Sequence, residues 1–184
     1  MRKVAIVTDS VCCLPPELLA KHSIRVVPLL ISFRGLTHRD GVDITPGEVY
    51  RIMRRDEDLP TTSIPSPGDF FKAYTELSRS AESILCITLT SLQSKMSEAA
   101  TVAKERAAES LPGTRIEVLD SRAVAGALGF VVLEAARAAE TGADLDQVRD
   151  AAVKAMPRMN FLAMVDTLHF LARTGRVARA AAWV

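Results

Sequence analysis

Hydroxyl side chains gather in two short clusters, and each cluster runs into a predicted helix. Residues 61–63 read Thr-Thr-Ser, and residues 88–94 carry two threonines and two serines. Hydroxyl groups next to the free N–H groups of a helix N-terminus can bind a carboxylate or a phosphate without a fixed charge. The two clusters therefore predict a site for an anion.

The first cluster is followed by the signals of a helix start. Pro67 suits the first helical position, because its φ is fixed and its missing N–H costs nothing there. Ser66 is then the N-cap, and Asp69 three residues later completes a capping box. This pattern predicts that residues 61–63 form a stiff loop beside the N-terminus of a helix.

Other residues that could perform catalysis are poorly arranged for it. The chain has no G-x-x-x-x-G-K-[ST], no G-x-G-x-x-G after a strand and no G-x-S-x-G. His22, His38 and His169 stand apart, so each is expected to be a surface or packing residue. Cys12 and Cys13 precede a helix, where the pKa of a thiol can fall, but adjacent cysteines without C-x-x-C argue against a redox motif.

Two groups keep a functional and a structural interpretation open. Asp9 ends the first predicted strand and could accept a phosphoryl group, although no second carboxylate stands nearby to hold Mg²⁺. Its simpler interpretation is that it caps a loop. Arg173, Arg176 and Arg179 are spaced by three, as in a solvated helix face or in a cationic patch that neutralises an anionic head group or docks a partner.

Composition excludes several classes of protein. Hydrophobic residues make up 48% of the 184 residues and aromatic residues 5%, which indicates an aliphatic core of helices packed on a sheet. The net charge of +1 gives no electrostatic footprint for nucleic acid. Three cysteines form neither a disulfide framework nor a zinc spacing, so no metal site is expected. The longest apolar stretch, residues 123–133, is short of the roughly 20 residues that span a bilayer. These features predict a soluble, cytoplasmic protein without stable membrane insertion.

Short apolar strands alternate with helices along the chain. The predicted strands are residues 4–8, 24–33, 84–88 and 116–119, and the helices are expected to begin near residues 16, 46, 67, 95, 124 and 144. This alternation predicts an α/β fold with a mainly parallel sheet flanked by helices. Ligands of such sheets bind at the carboxyl ends of the strands, where Asp9-Ser10, Thr88 to Ser94 and Asp120-Ser121 are expected to meet.

A change of composition near Pro157 predicts a domain boundary. Residues 1–157 are assigned to the α/β domain, and residues 158–184 to the beginning of a second domain that is incomplete. Beyond the boundary lie an apolar run at residues 161–165 and Asp166, which is expected to cap a short helix.

Taken together, these motifs resemble the DegV family of bacterial fatty-acid-binding proteins, many of which are the lipid-carrying B subunit of fatty acid kinase. The resemblance runs through essentially all of the chain. It rests on VTDS near the start, the segment TTSIPSPGDF, the serine motif at residues 90–94, Asp120-Ser121 and Gly175-Arg176. Ile64 stands where the family usually has glutamine, and Lys95 and Met96 replace glycine and threonine of the second serine motif.

The resemblance implies a site and a division of labour. Thr62 and Ser94 would hold the carboxylate of a fatty acid, with Ser63 and Ser91 in the same site and Arg176 near the head group. The acyl chain would enter an apolar tunnel. The fatty acid is then a ligand, no other cofactor is implied, and no residue of this chain is catalytic.

The resemblance also implies partners. The chain would present the bound carboxylate to a separate ATP-binding fatty acid kinase subunit, which forms an acyl phosphate for phospholipid synthesis. Family members are longer and have a second α/β domain that helps to cover the lipid and contributes a histidine to the head-group network. Residues 158–184 would be the beginning of that domain, so the chain is expected to be truncated at its C-terminal end. The alternative is an enzyme on the same fold that acts on a small phosphorylated metabolite at the carboxyl ends of the strands, through Asp9 or a hydroxyl group.

Overall fold

Two sheets and six helices make up the structure, a computed structural model that describes residues 2–55, 59–166, 168 and 171–172. The strands are β1 (Arg2–Asp9), β2 (Arg25–Val27), β3 (Leu30–Phe33), β4 (Leu36–Arg39), β5 (Thr61–Ser63), β6 (Ala81–Thr88) and β7 (Arg115–Asp120). The helices are α1 (Pro16–Lys21), α2 (Pro46–Arg55), α3 (Pro67–Ser78), α4 (Met96–Ser110), α5 (Ala125–Glu140) and α6 (Leu145–Ala155). Short 3-10 turns follow β1 and α6, at Ser10–Cys12 and Met156–Arg158.

The main sheet has four parallel strands in the order β2-β1-β6-β7. Its two central strands are apolar along most of their length because both of their faces are covered. Residues 4–7 of β1 and residues 84–87 of β6 are all buried. The predicted α/β fold with a mainly parallel sheet is confirmed.

Helices pack against this sheet in two pairs. α3 contacts α4, and both pack against β6; α5 contacts α6, and both pack against β1. Small side chains let these helices approach closely, since the buried face of α4 is mostly alanine and that of α5 is alanine and valine. The aliphatic, alanine-rich core expected from the composition therefore lies between the helices and the main sheet.

A second sheet of three antiparallel strands, in the order β4-β3-β5, was not predicted. The single strand expected over residues 24–33 is wrong, because Pro28 has no N–H group to continue the ladder and the chain divides there into β2 and β3. A two-residue turn with positive φ at Arg34 and Gly35 then joins β3 to β4.

The expectation that residues 61–63 form a loop is also wrong. They form β5, in which Thr62 pairs with Ile31 and Ser63 pairs with Leu30. All three β5 residues are exposed and polar, so the alternation of apolar and polar residues that marks most strands is missing. The ladder to β3 holds this segment in an extended conformation.

Several predicted helix ends are confirmed. Ser66 and Asp69 form both halves of a capping box: the Ser66 N–H donates to Asp69 Oδ2 at 2.8 Å, and the Asp69 N–H donates to Ser66 Oγ at 3.3 Å. Thr45 and Glu48 make the same exchange at the start of α2. Gly142, with φ of 82°, follows the end of α5.

The segment after α6 carries the predicted domain boundary. Residues 161–166 are exposed and belong to no helix or strand. Leu171 and Ala172 are helical, and the Ala172 N–H donates to the Leu168 carbonyl at 2.9 Å. The division at Pro157 stays a prediction.

Within the part of the chain that the structure describes, no helix is long and apolar enough to cross a membrane.

Candidate functional site

A cavity of about 590 Å³ lies beside the residues that follow β1 and β6. Volumes of this order are usual for sites that bind small molecules. Hydroxyl, amide, ammonium and apolar side chains share its wall, which consists of Val11, Leu29, Thr62, Ser63, Ile64, Leu89, Ser91, Gln93, Ser94, Lys95, Val124 and Ala125.

The structure brings four of the five predicted site residues to this cavity. Thr62 and Ser63 reach it from β5, and Ser91 and Ser94 reach it from the turn between β6 and α4. Two segments that are distant in sequence, a strand of the small sheet and the turn after a strand of the main sheet, thus supply the hydroxyl groups. Arg176 lies outside the described residues, and the ligand contacts expected of all five residues stay predictions.

Asp9 joins the ends of two central strands beneath the cavity. Its Oδ1 accepts from the Val11 N–H at 3.0 Å, and its Oδ2 accepts from the Leu89 N–H at 2.8 Å. Val11 and Leu89 both line the cavity, so the Asp9 carboxylate fixes the position of two wall residues. The interpretation of Asp9 as a loop cap is confirmed.

The same geometry makes Asp9 a poor acceptor for a phosphoryl group. The residue is fully buried, and each of its carboxylate oxygens already accepts a backbone hydrogen bond. Burial raises the pKa of Asp9 to about 6, because a buried carboxylate loses the solvation that stabilises its charge. These features describe a residue that holds the backbone together and favour a structural role over the alternative enzymatic one.

A second aspartate positions the turn that carries Ser91. Asp120, at the end of β7, accepts from the Ser91 N–H at 3.2 Å and from the Arg122 N–H at 2.8 Å. The Thr90 N–H donates to the Ala123 carbonyl at 3.0 Å, which ties the same turn to the segment before α5. The predicted meeting of three polar strand ends is therefore confirmed as a set of hydrogen bonds.

Ser94 stands just before α4 and takes part in its first turn. Its Oγ accepts from the Met96 N–H at 3.3 Å. A serine hydroxyl also has one proton to donate, and an ionised carboxylate only accepts. Ser94 can thus accept from the helix and donate to an anion at the same time.

The apolar part of the wall was missed from the sequence. Val11 and Leu89 follow the ends of β1 and β6, and Ile64 follows the end of β5. Ile64 is half-buried against the core and adds apolar surface to the cavity. Position within two residues after a strand end was the signal that could have identified these residues.

A hydrogen bond from Leu29 connects the segment before β3 to the turn after β1. Leu29 lines the cavity one residue before β3, and its N–H donates to Ser10 Oγ at 3.0 Å. Ser10 follows β1, so this contact fastens the small sheet to the main one beside the cavity.

Gly129 allows α5 to pack closely against the 3-10 turn after β1. A Cβ atom at this position of α5 would lie 2.5 Å from the backbone oxygen of Cys12 and 3.0 Å from Leu14. The close approach sets α5 against the 3-10 turn that carries Val11. Val124 and Ala125, at the start of α5, line the same cavity.

None of the cysteine and histidine residues that the structure describes lines the cavity. Burial raises the pKa of Cys12 to about 11 and also raises the pKa of Cys13, so the lowering considered for thiols before a helix is wrong here. His22 is buried, with Nδ1 2.8 Å from Glu140 Oε1, which confirms the packing role expected of it. His169 lies outside the described residues.

Comparison with known proteins places this architecture in a family. A family model described as "Uncharacterised protein, DegV family" matches residues 3–184. A DegV domain-containing protein of Caldanaerobacter subterraneus is 36% identical over 179 residues, which are 97% of this chain and 62% of that protein.

Solved structures agree with that match. One, described as showing fatty acid binding of a DegV family protein from Thermus thermophilus, is 34% identical with a TM-score of 0.85. Another, described as a stearic acid-binding protein from Eubacterium ventriosum, is 32% identical with a TM-score of 0.78. Each similarity covers 100% of this chain and 64% of the other.

The chain thus spans slightly less than two thirds of the length of these relatives. The match to the family model nonetheless extends over almost every residue of the chain, and the fold agrees with the solved structures along its whole length. The chain belongs to the DegV family.

Proposed function

We propose that the chain binds a long-chain fatty acid in the 590 Å³ cavity, with the carboxylate at the hydroxyl groups and the acyl chain along the apolar wall. The observation that carries this proposal is the convergence of hydroxyl groups from β5 and from the β6–α4 turn on one cavity with apolar lining. Similar proteins from Thermus thermophilus and Eubacterium ventriosum, described as binding a fatty acid and stearic acid, support it.

The acyl chain and the head group would contribute different amounts to the binding free energy. Burial of an acyl chain contributes about 0.8 kcal/mol per methylene, so a sixteen-carbon fatty acid has roughly 11 kcal/mol of gross driving force. A hydrogen bond to a charged group nets about 1.5–3 kcal/mol. The apolar wall would therefore supply most of the affinity, and the hydroxyl groups would set the orientation.

We assign the head-group contacts to the predicted residues. Thr62 and Ser94 donate hydrogen bonds to the carboxylate oxygens. Ser63 and Ser91 provide two further hydroxyl groups in the same site. Arg176 is proposed to lie near the head group from the part of the chain outside the described residues. Neutral donors suit a carboxylate that must remain available to a reactant, because they orient it without pairing its charge tightly.

The proposed partner is a separate ATP-dependent fatty acid kinase subunit. It would transfer the γ-phosphoryl group of ATP to a carboxylate oxygen, which yields a long-chain acyl phosphate and ADP. The exposed strand β5 carries Thr62 at the edge of the small sheet, so the head group would be held where a partner protein can approach it. In this proposal the chain binds and orients the substrate, and the kinase performs the chemistry.

Mass spectrometry of lipid released from the purified protein tests the binding step, with recovery of long-chain fatty acid as the expected result. Recovery of none, together with Mg²⁺-dependent phosphatase activity on small phosphorylated metabolites, would overturn the proposal in favour of the enzymatic alternative. The partner step is tested by trapping acyl phosphate with hydroxylamine. The hydroxamate should form only when the chain, the kinase subunit and ATP are all present.

A further inference from the structure

Lys95 contributes the ammonium group to a cavity wall that otherwise consists, among the described residues, of uncharged side chains. It directly follows Ser94, at the position before α4, and makes no side-chain cap for that helix.

The surroundings of Lys95 leave its charge available. The side chain is 78% exposed, and its nearest ion-pair partner is Glu98, with Nζ 3.9 Å from Oε2. A pair at this distance between exposed side chains is weak, because solvent screens it and two long side chains must be ordered to hold it. A ligand anion in the cavity can therefore compete with Glu98 for the ammonium group.

The hydroxyl groups of the cavity do not by themselves select an anion. Thr62 and Ser94 can donate to a carboxylate, but a hydroxyl group can also exchange hydrogen bonds with an alcohol. A lysine ammonium is a compact positive charge with three donors, and it favours an ionised oxygen over a neutral one. A residue that discriminates between these two head groups must carry charge, and among the described residues of the cavity wall Lys95 is the one that does.

We propose that Lys95 makes the cavity prefer lipids with an ionised carboxylate over lipids of the same chain length that have an uncharged head group. This inference rests on the proposed binding of a fatty acid and adds a specificity-determining residue to it. Lys95 acts through charge at the mouth of the cavity, and the neutral hydroxyl groups fix the geometry of the head group.

The test measures binding of tetradecanoate and of 1-tetradecanol to the 184-residue chain and its variants. Lys95→Met should weaken tetradecanoate about fivefold, the effect of a solvent-screened charge pair, and should change the affinity for the alcohol by less than about twofold. Lys95→Arg should restore the preference for the acid. Lys104→Met removes the same charge from an exposed position of α4 outside the cavity and should leave both affinities unchanged.

Salt gives a second readout that a packing role would not move. Raising the ionic strength should weaken tetradecanoate binding to the wild type more than binding to Lys95→Met, because salt screens the charge that the variant lacks. Equal effects of Lys95→Met on acid and alcohol, or no effect on either, would overturn the role of Lys95 alone. A wild type that binds neither lipid would overturn the proposed function, and this inference with it.

Discussion

The carboxylate of Asp9 accepts a hydrogen bond from the backbone N–H of Leu89 at 2.8 Å, across 80 positions of sequence. The bond joins the residue that ends β1 to the residue that follows β6, under the wall of the cavity. It is made inside the protein, where Asp9 is fully buried. The stability of this region should therefore depend on the ionisation of a single carboxyl group.

Asp9→Asn should change how stability depends on pH. Burial raises the pKa of Asp9 from 3.8 to about 6, so between these values the folded protein holds a proton that the unfolded chain has released. The contribution of Asp9 to stability is then fully present below about pH 4 and is lost as the pH rises through 6. This loss is on the order of 3 kcal/mol. Urea unfolding from pH 4 to 7 should show the wild type losing this amount relative to the variant.

An exposed carboxyl group provides the control for that experiment. The pKa of Asp146 is lowered, first of all by the side-chain hydrogen bond from Arg115, so its contribution is gained as the pH rises. That gain is nearly complete at pH 4, because the ordinary pKa of the group is 3.8, so Asp146→Asn should leave the profile from pH 4 to 7 almost unchanged. Wild-type and Asp9→Asn profiles that stay parallel from pH 4 to 7 would contradict the raised pKa.

Gly129→Ala should destabilise the protein by about 1–3 kcal/mol, the usual cost of overpacking. The new Cβ atom would lie 2.5 Å from the backbone oxygen of Cys12, which no side-chain rotation can relieve. Gly126→Ala is the matched control on the same helix. It meets no atom within 4 Å and should be neutral or stabilising by up to about 1 kcal/mol. Chemical denaturation measures both, and equal stabilities would show that α5 can shift freely.

Thr62→Ala should weaken presentation to the kinase more than it weakens binding of the fatty acid. In the proposed complex the Thr62 hydroxyl group would set the orientation of the carboxylate, and the acyl chain would supply most of the affinity. We expect the rate of acyl phosphate formation to fall by about tenfold, equivalent to one hydrogen bond to a charged group, while the dissociation constant rises less. Thr61→Ala is the control, because Thr61 is on the same exposed strand but does not line the cavity. An equal loss of rate and affinity would refute a separate orienting role.

Affinity should rise with the length of the fatty acid. Each two-carbon extension from decanoate to hexadecanoate should strengthen binding by up to about 1.6 kcal/mol, or roughly tenfold, as long as the added methylenes are buried. Ile64→Ala should weaken hexadecanoate more than decanoate, because it removes apolar wall and leaves the hydroxyl groups intact. Titration below the critical micelle concentration measures the series, and an affinity independent of length would argue against an apolar tunnel.

The features that the sequence predicted correctly are those with local causes. The capping box of Ser66 and Asp69 needs only residues three apart, and the buried runs of β1 and β6 need only a covered sheet. The polar residues at the strand ends could be placed on one edge because parallel strands share a direction. For these elements, nearby residues and one topological rule were sufficient.

The features that escaped prediction depend on contacts between distant segments. Thr61–Ser63 becomes a strand through its ladder to β3. Its three residues are all exposed and polar, so they lack the alternation of apolar and polar residues that predicts a strand. Lys95 and Leu89 join the cavity wall because of how the turn after β6 is held by Asp9 and Asp120. No short pattern encodes such pairings, which become visible once the register of the sheets is known.

The hydroxyl groups of the proposed head-group site belong to separate sheets, Thr62 to the small antiparallel sheet and Ser94 to the rim of the parallel one. A carboxylate held by both would act as a non-covalent cross-link between two parts of the fold. By thermodynamic linkage, opening of the small sheet would cost additional free energy when the ligand is bound. Binding of a fatty acid should then slow amide hydrogen exchange in β3 and β5. A partner protein would meet a more rigid surface on the loaded form than on the empty form.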